Sequence, residues 1–169
     1  MIPKVLLTEW QIASTELLQV LSCFDQEQLN TVPGEGNWSA GQVADHLIKA
    51  SMVKVLHGPV KPTQRPADQY VQPLREQFLD FTTRMTSPQF LLPAQTVYRR
   101  ETLLHQLSTL SAEMEEAIQM LDLSATCLGA PRELGELTRW EAVNFNIFHI
   151  RRHTHQLKQI YPKVIKAGV

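Results

Sequence analysis

Three of the six histidines fall in one short run, Phe145-Asn146-Ile147-Phe148-His149-Ile150-Arg151-Arg152-His153-Thr154-His155-Gln156. The surrounding pattern predicts a helix from about Thr138 to Ile160, in which successive residues turn by roughly 100°. With His149 at zero, His153 lies at about 40°, Gln156 at about −20° and Asn146 at about 60°. Ala142, Phe145 and Ile160 share that side. His155 falls at about 240°, among Asn144, Arg151 and Lys158. Two imidazoles one turn apart thus sit on an apolar, inward stripe, and the third points to water. Residues at i and i+4 have Cβ atoms about 5–6 Å apart, so both rings can reach one ion. An isolated H-x-x-x-H is more often a pair of core histidines bonded to a carbonyl or hydroxyl. A metal needs further ligands.

A third imidazole comes from a second helix with clear punctuation. Ser39 is its expected N-cap, Gln42 completes a capping box, and Trp38 precedes the cap where it can pack on Val43. This helix is expected to run to about Leu56, where Gly58-Pro59 stops it. On it Val43, Ala50 and Val53 fall within about 60° of His46, whereas Asp45 falls at about 260°. His46 therefore occupies an apolar face, where it too could be a satisfied core histidine. His57 shares that face three turns later, at the end of the helix.

The elements that must position these residues are read from apolar periodicity. The first helix is expected from about Lys4 to Phe24, with Leu6, Trp10, Ala13, Leu17, Leu21 and Phe24 on one stripe. A third long helix is expected from about Arg99 to Leu121, with Leu103, Leu107, Leu110, Met114, Ile118 and Leu121 inward and His105 solvated. Between the second and third lies a proline-rich stretch, Gly58 to Val97, read as a crossover with a short helix over Leu74 to Met85. No strand pattern, internal repeat or low-complexity segment is evident. The expected fold is all-α: one four-helix bundle domain over residues 1–169, up-down-down-up, with the long crossover between helices 2 and 3.

Composition excludes several classes of function. The 169 residues are 43% hydrophobic and 20% charged, with a formal net charge of −1, ordinary for a globular protein. Basic pairs such as Arg99-Arg100 and Arg151-Arg152 are scattered, so no nucleic-acid partner is expected. The apolar run Val5-Leu6-Leu7 is too short for a signal peptide, and nothing approaches a membrane span. Cys23 and Cys127 are far apart and read as reduced thiols of a cytoplasmic protein. Cys23 lies off the apolar stripe, and no catalytic role is expected of it.

His46 lies seven residues past Ser39, and His149 and His153 lie eleven and seven before Ile160. If helices 2 and 4 run antiparallel, the three imidazoles reach one level of the bundle. The segment Asn37-Trp38-Ser39-Ala40-Gly41-Gln42-Val43-Ala44-Asp45-His46-Leu47 resembles the helix 2 signature of the DinB/YfiT-like superfamily. His149-x-x-Arg152-His153-x-x-Gln156-Leu157 resembles its helix 4 signature. Phe78-Leu79-Asp80-Phe81, Ser87-Pro88-Gln89-Phe90 and Leu134-Gly135-Glu136-Leu137-Thr138 resemble one bacterial branch of it. The resemblance spans nearly the whole chain. It implies a four-helix bundle in which His46, His149 and His153 hold a divalent metal.

Three neutral imidazoles suit zinc or nickel, and three protein ligands with a vacant position are the pattern of a catalytic site. The general-base Glu of an H-E-x-x-H metallopeptidase is missing; Ile150 stands there. Gln156 and Asn146 are the nearest polar neighbours and cannot act as bases. Gln156 is expected either to orient a ligand or to make an interhelical hydrogen bond. Arg152 is expected to reach the rim of the site or, by preference, to pair with an acidic residue on helix 1 or 3. The resemblance implies transfer of a low-molecular-weight thiol such as bacillithiol, mycothiol or glutathione to a small electrophile, or a thiol-dependent isomerisation. Other relatives bear the label of metal-dependent hydrolase. The alternatives are such a hydrolase and a non-catalytic metal or small-ligand binding protein of stress response. A small-molecule substrate and a homodimer are further expectations from the resemblance.

Overall fold

The computed structural model describes residues 3–166; the outermost residues of the expected domain span lie outside the described part. Its helices are α1 (Pro3–Ser22), α2 (Gln26–Asn30), α3 (Ala40–Lys49), α4 (Val53–Leu56), α5 (Val71–Leu79), α6 (Arg100–Met120) and α7 (Arg139–Lys166). The fold is all-α apart from one small antiparallel ladder, β1 (Val60–Lys61) on β2 (Thr126–Cys127), which pairs Val60 with Cys127 and Lys61 with Thr126. The sequence carries no signal for it, because two residues per strand are too few to show alternation.

The apolar stripes become the core. Leu17, Leu21 and Phe24 meet Met114 and Ile118 of α6 and Ile147 and Leu157 of α7, all nearly inaccessible. Taking each such side chain out of water contributes about 1.5–3 kcal/mol. Polar contacts give the directions of packing. Trp10 Nε1 donates to the Ser111 carbonyl (3.2 Å) and Arg100 Nε to the Phe24 carbonyl (2.7 Å), so α1 and α6 run antiparallel. Glu9 pairs with Arg151 and Glu16 with Lys158, both at 2.5 Å, so α1 and α7 run parallel. Tyr161 packs edge-on to Phe24 at 5.0 Å, and Val164 is buried. This packing carries α7 past the expected end at Ile160 and through Pro162.

The second helix differs most from expectation. Ser39 and Gln42 form the capping box, but the helix breaks after Lys49 and resumes as α4. No proline or glycine stands at the break. Asn146 of α7 satisfies it instead, accepting from the Met52 N–H (2.9 Å) and donating from Nδ2 to the Ala50 carbonyl (3.2 Å). A long-range amide thus replaces the intrahelical partners that the break removes.

In the crossover, α5 starts three residues earlier than expected and stops six earlier. Pro73 sits in its first turn, where no intrahelical N–H is required. Asp80 ends it by accepting from Thr82 N–H (3.0 Å), Thr82 Oγ1 (2.5 Å) and Thr83 Oγ1 (2.6 Å). Phe81 consequently leaves the helix, is 45% exposed, and stacks on His155 at 4.2 Å.

Candidate metal centre

His46 projects from the C-terminal half of α3, and His149 and His153 from consecutive turns of the middle of α7. The two helices run antiparallel here, since His46 meets His149 while Met52 meets Asn146. His46 Nε2 lies 3.0 Å from His149 Nε2, and His153 Nε2 lies 3.1 Å from the same atom. One nitrogen from each ring falls within 4.8 Å of the others. Two nitrogens on one tetrahedral zinc at about 2.0–2.1 Å would stand roughly 3.4 Å apart, close to these separations.

Proton accounting makes the cluster informative. His46 Nδ1 is 2.9 Å from the Leu91 carbonyl, which can only accept, so Nδ1 carries the proton and Nε2 a lone pair. His153 Nδ1 is 2.7 Å from Gln156 Oε1, and with the amide turned this way Nδ1 donates and Nε2 keeps a lone pair. Both lone pairs point at His149 Nε2. A proton there can serve one of them, which leaves the other facing nitrogen without a donor. A cation between the three atoms would satisfy them all, so the residues fit a metal.

Extra protons are not available to do this work. Burial holds His46 below its ordinary 6.5. Burial, and then the neighbouring imidazoles, hold His149 well below it. Burial followed by the charge of His46 brings His153 down to about 3. All three are neutral at pH 7, the protonation state that ligates metals. The walls are aromatic. Phe145 stacks on His149 at 5.3 Å, Phe78 meets it edge-on at 5.8 Å, and Trp38 lies 5.1 Å from His46. His46 and His149 are buried, and His153 is partly exposed.

The remaining polar residues fall elsewhere. Asn146 is occupied by the break between α3 and α4. Arg152 reaches no carboxylate. It donates to the carbonyls of Phe78 (3.2 Å), Asp80 (2.8 Å) and Thr83 at the end of α5, because the early end of that helix leaves unpaired carbonyls beside it. It is Arg151 that pairs with helix 1, through Glu9. His57 and His105 are exposed, and His155 bonds Gln159 outside the cluster.

Two contributors have no expectation behind them in the sequence reading. The Leu91 carbonyl belongs to the backbone, which carries no residue-type signal. Glu141 is fully buried near the start of α7, where it accepts from Arg65, Tyr70 N–H and Thr138 N–H. The sequence does hold a signal for that one: Thr138-x-x-Glu141 is a capping box. Glu141 stands two turns from His149, and among the described residues no carboxylate joins the histidine cluster.

Histidines at these positions on α3 and α7 agree with a wider pattern: the DinB superfamily model matches residues 9–157. The chain belongs to the DinB superfamily. It is also similar to "Uncharacterized protein YuaE" of Bacillus subtilis (strain 168), 27% identical over 158 residues that cover 92% of this chain and 96% of the relative. No solved structure matches it. DinB-superfamily proteins are generally metal-binding, and in this member the three histidines could form such a site. No helix among the described residues is long and apolar enough to cross a membrane.

Proposed function

We propose that this DinB-superfamily member holds zinc or nickel through Nε2 of His46, His149 and His153, and transfers a low-molecular-weight thiol to a small electrophile. The observation that carries the reading is the convergence of neutral ring nitrogens, two of them fixed as acceptors by the partners of their Nδ1–H groups. The architecture that goes with it is a single up-down-down-up four-helix bundle of α1, α3 with α4, α6 and α7. Its support is the antiparallel α1–α6 and α3–α7 contacts and the parallel α1–α7 contacts. The free cysteines Cys23 and Cys127 accord with a cytoplasmic setting.

A bound divalent metal supplies the means to keep a thiol deprotonated at neutral pH. The chain's own residues do the rest. Leu91 and Gln156 orient two of the imidazoles, and Trp38, Phe78 and Phe145 form a low-dielectric wall. In the transfer the sulfur lone pair forms a bond to the electrophilic carbon, the leaving group departs with its bonding pair, and the thiol proton passes to water. No proton acceptor on the protein is required. Hydrolysis would normally use one to deprotonate the attacking water, and the amide of Gln156 cannot serve.

The test is conjugation of a low-molecular-weight thiol to a chromogenic aryl halide by zinc-loaded or nickel-loaded protein, with ester hydrolysis measured in parallel. Conjugation should exceed hydrolysis. His149→Ala should abolish metal binding and conjugation, and His155→Ala should leave both nearly intact. A chelator should lower the melting temperature, because an ion that binds only the native state stabilises it. Metal-dependent ester hydrolysis without conjugation would establish the hydrolase alternative. Metal binding with neither activity would establish a binding protein. No metal binding at all would refute the site.

A further inference from the structure

The chain between Thr83 and Tyr98, which leads from α5 to α6, is held at both ends and lies against α3. At one end Arg152, next to His153, holds the Asp80 and Thr83 carbonyls. At the other, Tyr98 is tied to α2: its N–H donates to Asn30 Oδ1 (2.7 Å), and its carbonyl accepts from Gln26 Nε2 (2.7 Å) and Asn30 Nδ2 (2.9 Å). Between these anchors α3 grips the backbone of residues 91–95 with four side chains. Gln42 Nε2 donates to the Gln95 carbonyl (3.5 Å), Asp45 Oδ2 accepts from Ala94 N–H (2.9 Å), His46 Nδ1 donates to the Leu91 carbonyl (2.9 Å), and Lys49 Nζ donates to the Leu92 carbonyl (2.6 Å). Positions 42, 45, 46 and 49 fall within an arc of about 100° around α3, with His46 at one edge and Asp45 at the other.

Asp45 is the hub of this grip. Besides Ala94 it accepts from the Tyr98 hydroxyl (2.9 Å), whose oxygen in turn accepts from Gln95 N–H (2.9 Å). It also pairs with Lys49 at 3.1 Å. His46, in contrast, depends on one carbonyl in a segment whose only regular structure is the 3-10 turn Gln89–Leu91. An imidazole without a fixed Nδ1 partner exchanges its proton between its two nitrogens, and the outer partner is what selects the tautomer.

We propose that Asp45 is a positioning residue for His46: by joining Ala94, Tyr98 and Lys49 it fixes residues 91–98 against α3, so that the Leu91 carbonyl keeps the His46 proton on Nδ1 and leaves Nε2 free to bind a metal. The sequence set Asp45 aside because its side chain points away from the His46 face, and that direction is what lets it reach the segment behind the ring. The inference rests on the proposed metal function only where zinc affinity is the readout.

Metal-free protein with nitrogen-15-labelled histidines reports the tautomer directly through long-range proton–nitrogen correlations. Wild-type His46 should be the Nδ1–H form. Asp45→Ala should convert it to a mixture of the two forms and weaken zinc binding by about 10-fold or more, the scale of a lost outer partner. Tyr98→Phe removes only the hydroxyl and should move both readouts the same way by less. Asp45→Asn keeps an oxygen for the Ala94 N–H and should recover part of the loss. Lys61→Ala, which removes an exposed ion pair with Glu136, should change neither. An unaltered His46 tautomer in folded Asp45→Ala overturns the proposal; if that variant does not fold, an unaltered tautomer in Tyr98→Phe overturns it. A tautomer change in a protein whose wild type binds no zinc supports the positioning role and refutes the metal function alone.

Discussion

Asn146→Ala removes the side chain that closes the break between α3 and α4. Its amide serves Met52 N–H and the Ala50 carbonyl, and both bonds are buried. Alanine leaves one backbone donor and one acceptor without that partner, away from bulk water. Each such group costs about 1–3 kcal/mol. The lower half of the combined range, about 3 kcal/mol, allows for some local relaxation. A chain of 169 residues unfolds with an entropy near 0.35 kcal/mol/K, which turns 3 kcal/mol into a drop of about 8 °C in melting temperature. Urea unfolding followed by far-UV circular dichroism measures the free energy, with m unchanged if the native state keeps its compactness. Asn146→Asp should lose at least as much at neutral pH, because its carboxylate accepts from Met52 but opposes the Ala50 carbonyl. A loss below about 1 kcal/mol for alanine, or a neutral aspartate variant, would refute the clamp. Weakened zinc binding at full stability would return Asn146 to a role at the histidines.

Glu141→Ala strands Arg65, whose side chain is largely covered, together with two backbone N–H groups; denaturant titration should show a loss of about 3–5 kcal/mol, as for a broken buried pair. In metal-stripped protein, the histidines held below 6.5 make the unfolded chain the better proton binder between pH 6.5 and about 3. Stability should therefore be intact above pH 6.5 and fall as pH drops through that window. A melting temperature that stays flat from pH 7 to 5, or a slope that His153→Leu does not reduce, would contradict this. Arg152→Gln should loosen the end of α5, seen as faster amide hydrogen exchange at Phe81 to Thr83, with little change at α6. Equal exchange in the variant and wild type would show that Arg152 does not hold that segment.

Much of the cluster was legible because it depends on angles within helices. A turn of roughly 100° per residue separates His149 and His153 from His155, and the Ser39–Gln42 box sets the register of His46. What failed to show was made by distant partners. The break at Ala50–Met52 has no local breaker, since its stabilising group is an amide 94 residues away. Arg152 was misjudged because its acceptors are carbonyls exposed by the end of α5, and Asp80 decides that end through its own side chain. Leu91 enters through its carbonyl, which any residue would supply. The Thr138–Glu141 box was visible in the sequence, but the burial of Glu141 depends on Arg65 arriving from the crossover.

The triad is unequal in time as well as in sequence. His149 and His153 are four residues apart and come together as soon as their turns of α7 form. His46 is 103 residues from His149 and joins only when α3 docks, with the crossover and α6 between them. Contacts at such separation form late, because loop closure must precede them. An ion present during refolding would meet two nitrogens first and the third last. Its grip would tighten at the closing step, so it should leave early helix formation untouched and slow the reopening of α3 from α7.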